Sequence, residues 1–291
     1  MFYVSAHEVA HQWWAHQVIP ANSQGATAIV ESMAQYSALL TMEKTLGKDK
    51  IDKFLRLEMN RYLKGRSAEI GQEQPLKRVE NQQYIHYNKG SVALYALKDY
   101  IGENRLNGAL QKYIAKVANQ SAPYTTTNEW IKYLREATPD SLQYVITDMF
   151  EDITLYDNNV DSLSYKKKGN QYEVTFKVNS KKLKADGDGV EKKVPLNDYI
   201  DIGVFARTKV KVPMKGTKTR SGKPRYRTKR ENKVLYLKKH KITKNTHTIK
   251  VLVDEKPYSA GIDPYHKLID RKTGDNKLIF NRNGKLKTSK K

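Results

Sequence analysis

The sequence has 291 residues, 38% of them hydrophobic, which is enough for one large domain or two ordinary ones. It has no cysteine and no apolar run of about 18 residues, which excludes disulfides, thiolate metal sites, a cysteine nucleophile and a membrane-spanning helix within it. The net charge of +22 is uneven: residues 1–150 contain 17 Lys and Arg against 15 Asp and Glu, and residues 151–291 contain 36 against 16. The basic character therefore belongs to the second half.

The first half of the chain has the apolar spacing and the capping residues of helices. Gly47 is typical of a helix C-cap, and Leu94, Leu97 and Ile101 are spaced as the buried stripe of one helix. These patterns predict helices over 3–18, 27–46, 49–64, 86–101, 103–119, 126–137 and 139–152.

Beyond Asp157 the apolar residues alternate with polar ones, which is typical of β-strands. The alternation indicates an antiparallel β-sandwich of about 100 residues. The fold class that we expect is therefore α+β and multidomain, with a mainly helical part followed by the sandwich. The predicted domains are 1–155, 156–265 and a basic C-terminal tail over 266–291, and the predicted strands lie within 172–178, 199–205, 234–237 and 247–253.

A strongly basic segment lies between two of the predicted strands. Residues 209–230 contain ten Lys and Arg and no acidic residue, and they are rich in Gly, Pro, Ser and Thr. We expect a long hairpin loop over about 208–232. Such a loop would attract an anionic membrane surface, whereas binding to nucleic acid is not expected and a merely solvated loop is the alternative.

The clearest chemical motif is His7-Glu8-x-x-His11 near the start of the chain. Residues four apart lie on the same face of a helix, so His7 and His11 can hold one zinc ion. Glu8 lies beside this pair, where it can take a proton from a water molecule that the metal activates. Two histidines on a solvated surface helix are the alternative reading.

A catalytic zinc site needs a third protein ligand and one open position. Glu31 is the candidate, since it lies in the next predicted helix, one loop after the motif. Its surroundings are small and apolar, and a single acid among them is easier to explain as a ligand than as a solvated residue.

The run HEVAHQWWAHQV resembles the metal helix of the aminopeptidase N family of zinc metallopeptidases, which are gluzincins with a thermolysin-like catalytic domain. Tyr87-Asn-Lys-Gly resembles the family's Tyr-x-Lys-Gly segment. The resemblance covers about residues 1–150. It implies one bound Zn²⁺, Glu31 as a ligand, a peptide as the substrate and Tyr87 as the hydrogen-bond donor to the oxyanion.

A narrower resemblance is to bacterial proteins in which such a peptidase domain follows the permease of an ABC transporter. It implies an upstream permease domain and membrane association through upstream segments, on a side of the membrane that the residues do not indicate. The motif begins at residue 7, so we expect an N-terminally truncated fragment, soluble by itself, that lacks the family's amine-binding segment.

The predicted function is zinc-dependent hydrolysis of peptide bonds, with release of N-terminal residues. Three alternatives or refinements stay open at this point: a zinc endopeptidase, a non-catalytic or regulatory module of a transporter, and a fragment that is inactive alone. The predicted metal ligands are His7, His11 and Glu31, and the predicted catalytic residues are Glu8 and Tyr87.

Overall fold

A computed structural model describes residues 2–218, 221–281 and 286. The chain divides into two compact units. The first unit runs up to Tyr156 and also includes Lys182–Val194 and Tyr265–Arg271. The second unit comprises Asp157–Lys181, Pro195–Pro264 and the described residues from 272 onward.

The first unit contains the helices. Three of them are preceded or followed by short π-helical turns, at Ala28–Ser32, Tyr84–Lys89 and Thr147–Glu151. The α-helices are α1 Phe2–Ala10, α2 Met33–Leu46, α3 Lys48–Ser67, α4 Gly90–Ile101, α5 Glu103–Val117, α6 Thr127–Ala137 and α7 Gln143–Ile146. Short 3₁₀ turns lie at Leu76–Arg78 and Asp140–Leu142.

A hydrophobic core of this unit lies between α2, α3 and α4, and Ile153, Leu155 and Ile269 complete it. The stripe predicted for α4 is confirmed, because Leu94, Leu97 and Ile101 are all buried. Burial of such large aliphatic side chains stabilises the folded state by about 25 cal/mol for each Å² of apolar surface that is removed from water. This core holds α2 and α4, which follow the two π-helical turns at the candidate site.

The first helix is shorter than the sequence predicts. It was expected over 3–18, but α1 ends at Ala10, and turns follow it. Ala15 has a φ of 132°, a conformation that no helix contains, and Trp14 pairs with Val18 in an isolated bridge. The reason is tertiary: the Trp14 side chain is buried and its indole N–H donates to Oγ of Ser37 in α2 at 3.0 Å.

The strands are β1 Ile153–Lys168, β2 Gln171–Ala185, β3 Glu191–Val194, β4 Asp198–Lys218, β5 Pro224–Ile242, β6 Thr246–Val253, β7 Ser259–Ile262 and β8 Lys277–Ile279. Within the described residues they form two four-stranded sheets. In one, β2 pairs with β1, β3 and β6, and in the other the order is β5-β4-β7-β8. The pairings of β2 with β3 and β6, of β4 with β5 and β7, and of β7 with β8 are antiparallel. Helices and antiparallel sheets are thus confirmed, and the sandwich arrangement stays a prediction.

Two expectations about the basic half are corrected. The segment expected to be a loop over 208–232 consists mostly of paired strands, with Lys209 opposite Arg230 and Val212 opposite Arg227. Its valines and threonines alternate with Lys and Arg, which is the alternation of a β-strand, but the many charged residues made this pattern hard to recognise. The expected tail over 266–291 is structured at its start, since Leu268 and Ile269 are buried and β8 pairs with β7. Residues 282–285 and 287–291 lie outside the described residues.

Among the residues that the structure describes, no helix has both the length and the apolar composition that crossing a bilayer requires.

Candidate active site

Three side chains expected to bind metal converge on one point. His7 lies in α1, His11 is the first residue after it, and Glu31 lies in the π-helical turn that leads into α2. Nε2 of His7 is 3.1 Å from Nε2 of His11 and 3.2 Å from Oε2 of Glu31. Nε2 of His11 is 3.6 Å from the same carboxylate oxygen. These residues form the one cluster of at least three metal-ligating side chains among the described residues.

The donor set fits a zinc ion. Zinc binds imidazole nitrogen and carboxylate oxygen at about 2.1 Å, so the ligand atoms of a tetrahedral site lie about 3.4 Å from one another. The three separations of 3.1, 3.2 and 3.6 Å agree with that value. Two nitrogens, one carboxylate oxygen and a position left open are the composition of a catalytic zinc site.

The second ring nitrogen of His11 is held by the turn after α1. Its Nδ1 is 2.8 Å from the carbonyl oxygen of Trp14, so the proton resides on Nδ1 and donates to that carbonyl. Nε2 of His11 therefore presents its lone pair to the cluster. The early end of the helix thus has a chemical consequence, because the turn supplies the carbonyl that orients this ligand.

Glu31 is ionised at the pH at which a metal would bind. Burial by itself would raise the pKa of this carboxyl group, but the hydrogen bond from His7, the electrostatic interaction with His11 and the hydrogen bond from Tyr87 together lower it. Its π-helical turn contains one more residue than an α-helical turn, and such turns are frequent at functional sites.

The two residues expected to act on substrate lie beside the cluster. Glu8 is solvent-exposed on α1, next to His7 in the chain. Tyr87 lies in the second π-helical turn, with its ring centroid 5.8 Å from that of His7. Burial, followed by the charge and hydrogen bonding of Glu31 and the charge of Glu8, raises the pKa of Tyr87 to about 12. The phenol thus keeps its proton at neutral pH and can donate a hydrogen bond.

One contact between the two π-helical turns could not be seen in the sequence. Oγ of Ser32 donates a hydrogen bond of 2.6 Å to the carbonyl oxygen of His86. Ser32 follows Glu31 and His86 precedes Tyr87, so this bond links the turn that contains a candidate ligand to the turn that contains the candidate oxyanion donor. Gly90 permits the approach, because a Cβ atom built on it lies 2.3 Å from Oγ of Ser32 and 2.6 Å from its Cβ.

Replacing Gly90 by alanine should therefore lower the free energy of unfolding. We expect a loss of about 1–3 kcal/mol, since the added methyl must displace the Ser32 turn in a packed core. Thermal or urea denaturation measures this change. The matched control is Gly108→Ala in α5, where an added Cβ meets nothing within 4 Å and alanine should stabilise the helix by about 0.5–1 kcal/mol. Equal effects of the two substitutions would contradict the packing argument.

The residues after Tyr87 have structural contacts. Nδ2 of Asn88 donates to the buried carboxylate of Glu58 at 2.6 Å. Lys89 is fully buried, with Nζ 3.3 Å from the carbonyl oxygen of Asp152, and burial lowers its pKa to about 8. Through these bonds, Asn88 and Lys89 hold in place the turn that contains Tyr87.

Comparison with known proteins connects this geometry to a family. The sequence model of the peptidase family M1 domain matches residues 1–152, which include all five candidate residues. A search of curated proteins gave no match.

A search of solved structures also gave matches. Aminopeptidase A of Legionella pneumophila, in complex with aspartic acid, is 14% identical with a TM-score of 0.50, and the match covers 92% of this chain and 26% of that one. An M1 zinc metallopeptidase mutant of Deinococcus radiodurans, bound to a Tyr-Ser-Ala substrate, is 20% identical with a TM-score of 0.41, covering 52% of this chain and 33% of that one. The chain thus spans about a third or less of the length of these structures.

Proposed function

This chain belongs to peptidase family M1, and we propose that it forms the zinc-binding catalytic centre of a peptidase. The observation that carries the proposal is the convergence of His7, His11 and Glu31, whose ligand atoms all lie within 4.8 Å of one another. Family membership supports zinc as the metal and a peptide bond as the target. The association with an upstream permease domain remains a prediction.

We assign each side chain one task. His7, His11 and Glu31 hold the zinc ion, which when bound supplies a Lewis acid that lowers the pKa of a water molecule. Glu8 accepts a proton from the attacking water and passes it to the amine that leaves when the peptide bond breaks. Tyr87 donates its phenolic hydrogen to the substrate's carbonyl oxygen as that oxygen becomes negative.

Placement of the residues supports these tasks. Glu8 is exposed beside the cluster, where it can reach water and substrate without being a ligand. Tyr87 interacts with Glu31 and lies within the field of Glu8, so its hydroxyl borders the same space. A donor that is already oriented needs little reorganisation as charge develops, and this is the main source of its effect on the rate.

We propose that the substrate is the N-terminal end of a peptide. Support comes from the resemblance to the aminopeptidase N family and from the aminopeptidase among the solved structures of similar fold. An endopeptidase would use the same metal and the same residues. Blocking the substrate's amine distinguishes the two, because an aminopeptidase loses cleavage of the N-acetylated peptide and an endopeptidase does not.

Metal content and turnover of the purified chain test the proposal together. We expect one zinc per chain by elemental analysis, and hydrolysis of aminoacyl-coumarin substrates that stops with 1,10-phenanthroline and returns on addition of zinc. Zinc bound at one equivalent without hydrolysis of either the aminoacyl-coumarins or an N-acetylated peptide would contradict the catalytic role of this chain and favour a regulatory module. Absence of zinc binding would contradict the metal centre itself.

A further inference from the structure

The long hairpin of the second unit carries a basic surface that the proposed peptidase does not use. We call residues 207–218 of β4 with residues 224–232 of β5 the basic ribbon. Beyond Phe205, β4 pairs with β5 alone among the described strands, since β7 contacts β4 only at residues 202–205. At about 3.3 Å per residue, the β4 part of the ribbon is about 36 Å long. Two strands with no third partner are only marginally stable in water.

Pairing within the ribbon brings like charges together. Residues directly opposite on antiparallel strands share a face, and Lys209 is opposite Arg230. Lys229 and Arg227 belong to the other face, opposite Val210 and Val212. Both faces are therefore cationic, and a directly opposed pair of cations destabilises the hairpin unless an anion lies nearby.

Few acids are available to neutralise this charge. Residues 209–230 include no Asp or Glu, and within the described residues Lys229 forms an ion pair with Glu231, its near neighbour in the chain, at 2.9 Å. Several exposed cations of the ribbon have no ion-pair partner among the described residues: Lys209, Lys211, Arg225, Arg227 and Arg230. This array is complementary to a surface of closely spaced negative charges.

Apolar side chains near the end of the ribbon indicate which anionic surface it fits. Met214 is 40% exposed and Tyr226 is 59% exposed, and both lie among the cations. Exposed apolar side chains beside Lys and Arg are typical of segments that bind at the headgroup level of a bilayer. Tyr226 is the one aromatic residue in 207–230, whereas binding of single-stranded nucleic acid generally uses several aromatic side chains for base stacking.

We propose that the basic ribbon binds the surface of an anionic phospholipid bilayer through the face of Lys209 and Arg230, with the cations on the lipid headgroups and with Tyr226, which shares that face, in the headgroup region. This interaction is independent of peptide hydrolysis. It would place the second unit at a membrane whether or not the metal centre is active.

Vesicle sedimentation of the full chain tests the electrostatic component. We expect binding to vesicles with about one third phosphatidylserine and no binding to pure phosphatidylcholine. The triple variant Lys209→Gln, Lys211→Gln, Arg230→Gln should bind about 100-fold more weakly, as expected for three cations near an anionic surface. All three side chains are exposed, and circular dichroism with thermal melting verifies that the variant folds.

A matched control separates the ribbon from the general charge of the protein. Lys166, Lys167 and Lys250 are exposed cations outside the ribbon, and replacing all three by glutamine removes the same charge. This control should lose less than about tenfold in affinity. Equal losses in the two triple variants, or equal binding to neutral and anionic vesicles, would overturn the proposal.

Fluorescence of Tyr226→Trp tests the apolar component. With anionic vesicles, the emission of this variant should shift to shorter wavelength and be quenched by brominated lipid, beyond the signal of the unmodified chain. Failure of both changes would overturn insertion at the headgroup level.

A competition with a DNA duplex and with a single-stranded oligonucleotide at the same salt concentration completes the test. If nucleic acid bound more tightly than vesicles, and lost that affinity in the ribbon variant, the ribbon would be a nucleic-acid surface instead.

Discussion

Replacing Glu8 by glutamine is expected to lower kcat/KM by a factor of about 10²–10⁴ while the chain retains one equivalent of zinc. Glutamine has nearly the same size as glutamate, but its amide cannot accept a proton from water at neutral pH. Glu8 is exposed and lies beside the three ligands rather than among them, so the metal cluster should be undisturbed. Steady-state hydrolysis of an aminoacyl-coumarin and elemental analysis of zinc provide the two measurements.

The matched control for this prediction is Glu80→Gln. Glu80 is an exposed acid shortly before the Tyr87 turn, and its backbone carbonyl accepts the hydroxyl of Thr27. The substitution removes a charge near the site but leaves that backbone contact, so kcat/KM should change less than about threefold. A Glu8→Gln variant with full activity would refute the assignment of Glu8 as the base. Loss of zinc in that variant would show that Glu8 acts on the metal cluster instead.

Replacing Tyr87 by phenylalanine is expected to lower kcat by about 10²–10³ with little change in KM. The ring and its contacts remain, including the edge-on contact with His86 at 4.4 Å between centroids. Only the hydroxyl is lost, and with it the donor that meets the substrate's oxygen when that oxygen is most negative. Because the interaction is stronger in the transition state than in the bound substrate, the loss appears in kcat.

Tyr84→Phe in the same π-helical turn is the matched control. The Tyr84 hydroxyl donates to Glu69 at 2.9 Å, so its removal should cost about 1 kcal/mol of stability and leave kcat unchanged. A similar fall in kcat in both variants would indicate that the turn, rather than the Tyr87 hydroxyl, had been disturbed. A large rise in KM in Tyr87→Phe would instead indicate a role in binding the substrate.

Much of the site is readable from short-range patterns. His7, Glu8 and His11 lie within five residues, and their relative positions follow from helix geometry alone. Glu31 requires one loop to return, and this too is a local event. The structure brings His7, His11 and Glu31 together as that spacing predicts. Tyr87 lies far along the chain, and its place beside His7 was predicted from the resemblance to a family rather than from spacing.

Two other features were predicted wrongly because tertiary contacts outweighed the local sequence pattern. Apolar residues continue past Ala10, so the sequence predicted a longer helix, but burial of Trp14 and its bond to Ser37 end α1 early. The Gly, Pro, Ser and Thr residues among the cations of residues 208–232 suggested a loop, yet cross-strand pairing from Arg207 with Asn232 to Pro213 with Tyr226 forms a ribbon. In both places, contacts between residues of different segments determined the backbone conformation.

The chemistry of this protein thus follows largely from its residue order, because a metal motif on a helix is defined by neighbours within one turn. The tertiary structure decided how that chemistry is held in place. The bond from Ser32 to the carbonyl of His86, and the space that Gly90 leaves for it, join segments more than fifty residues apart. Such contacts depend on how whole helices pack, and packing is a property of the assembled core that no short stretch of sequence contains.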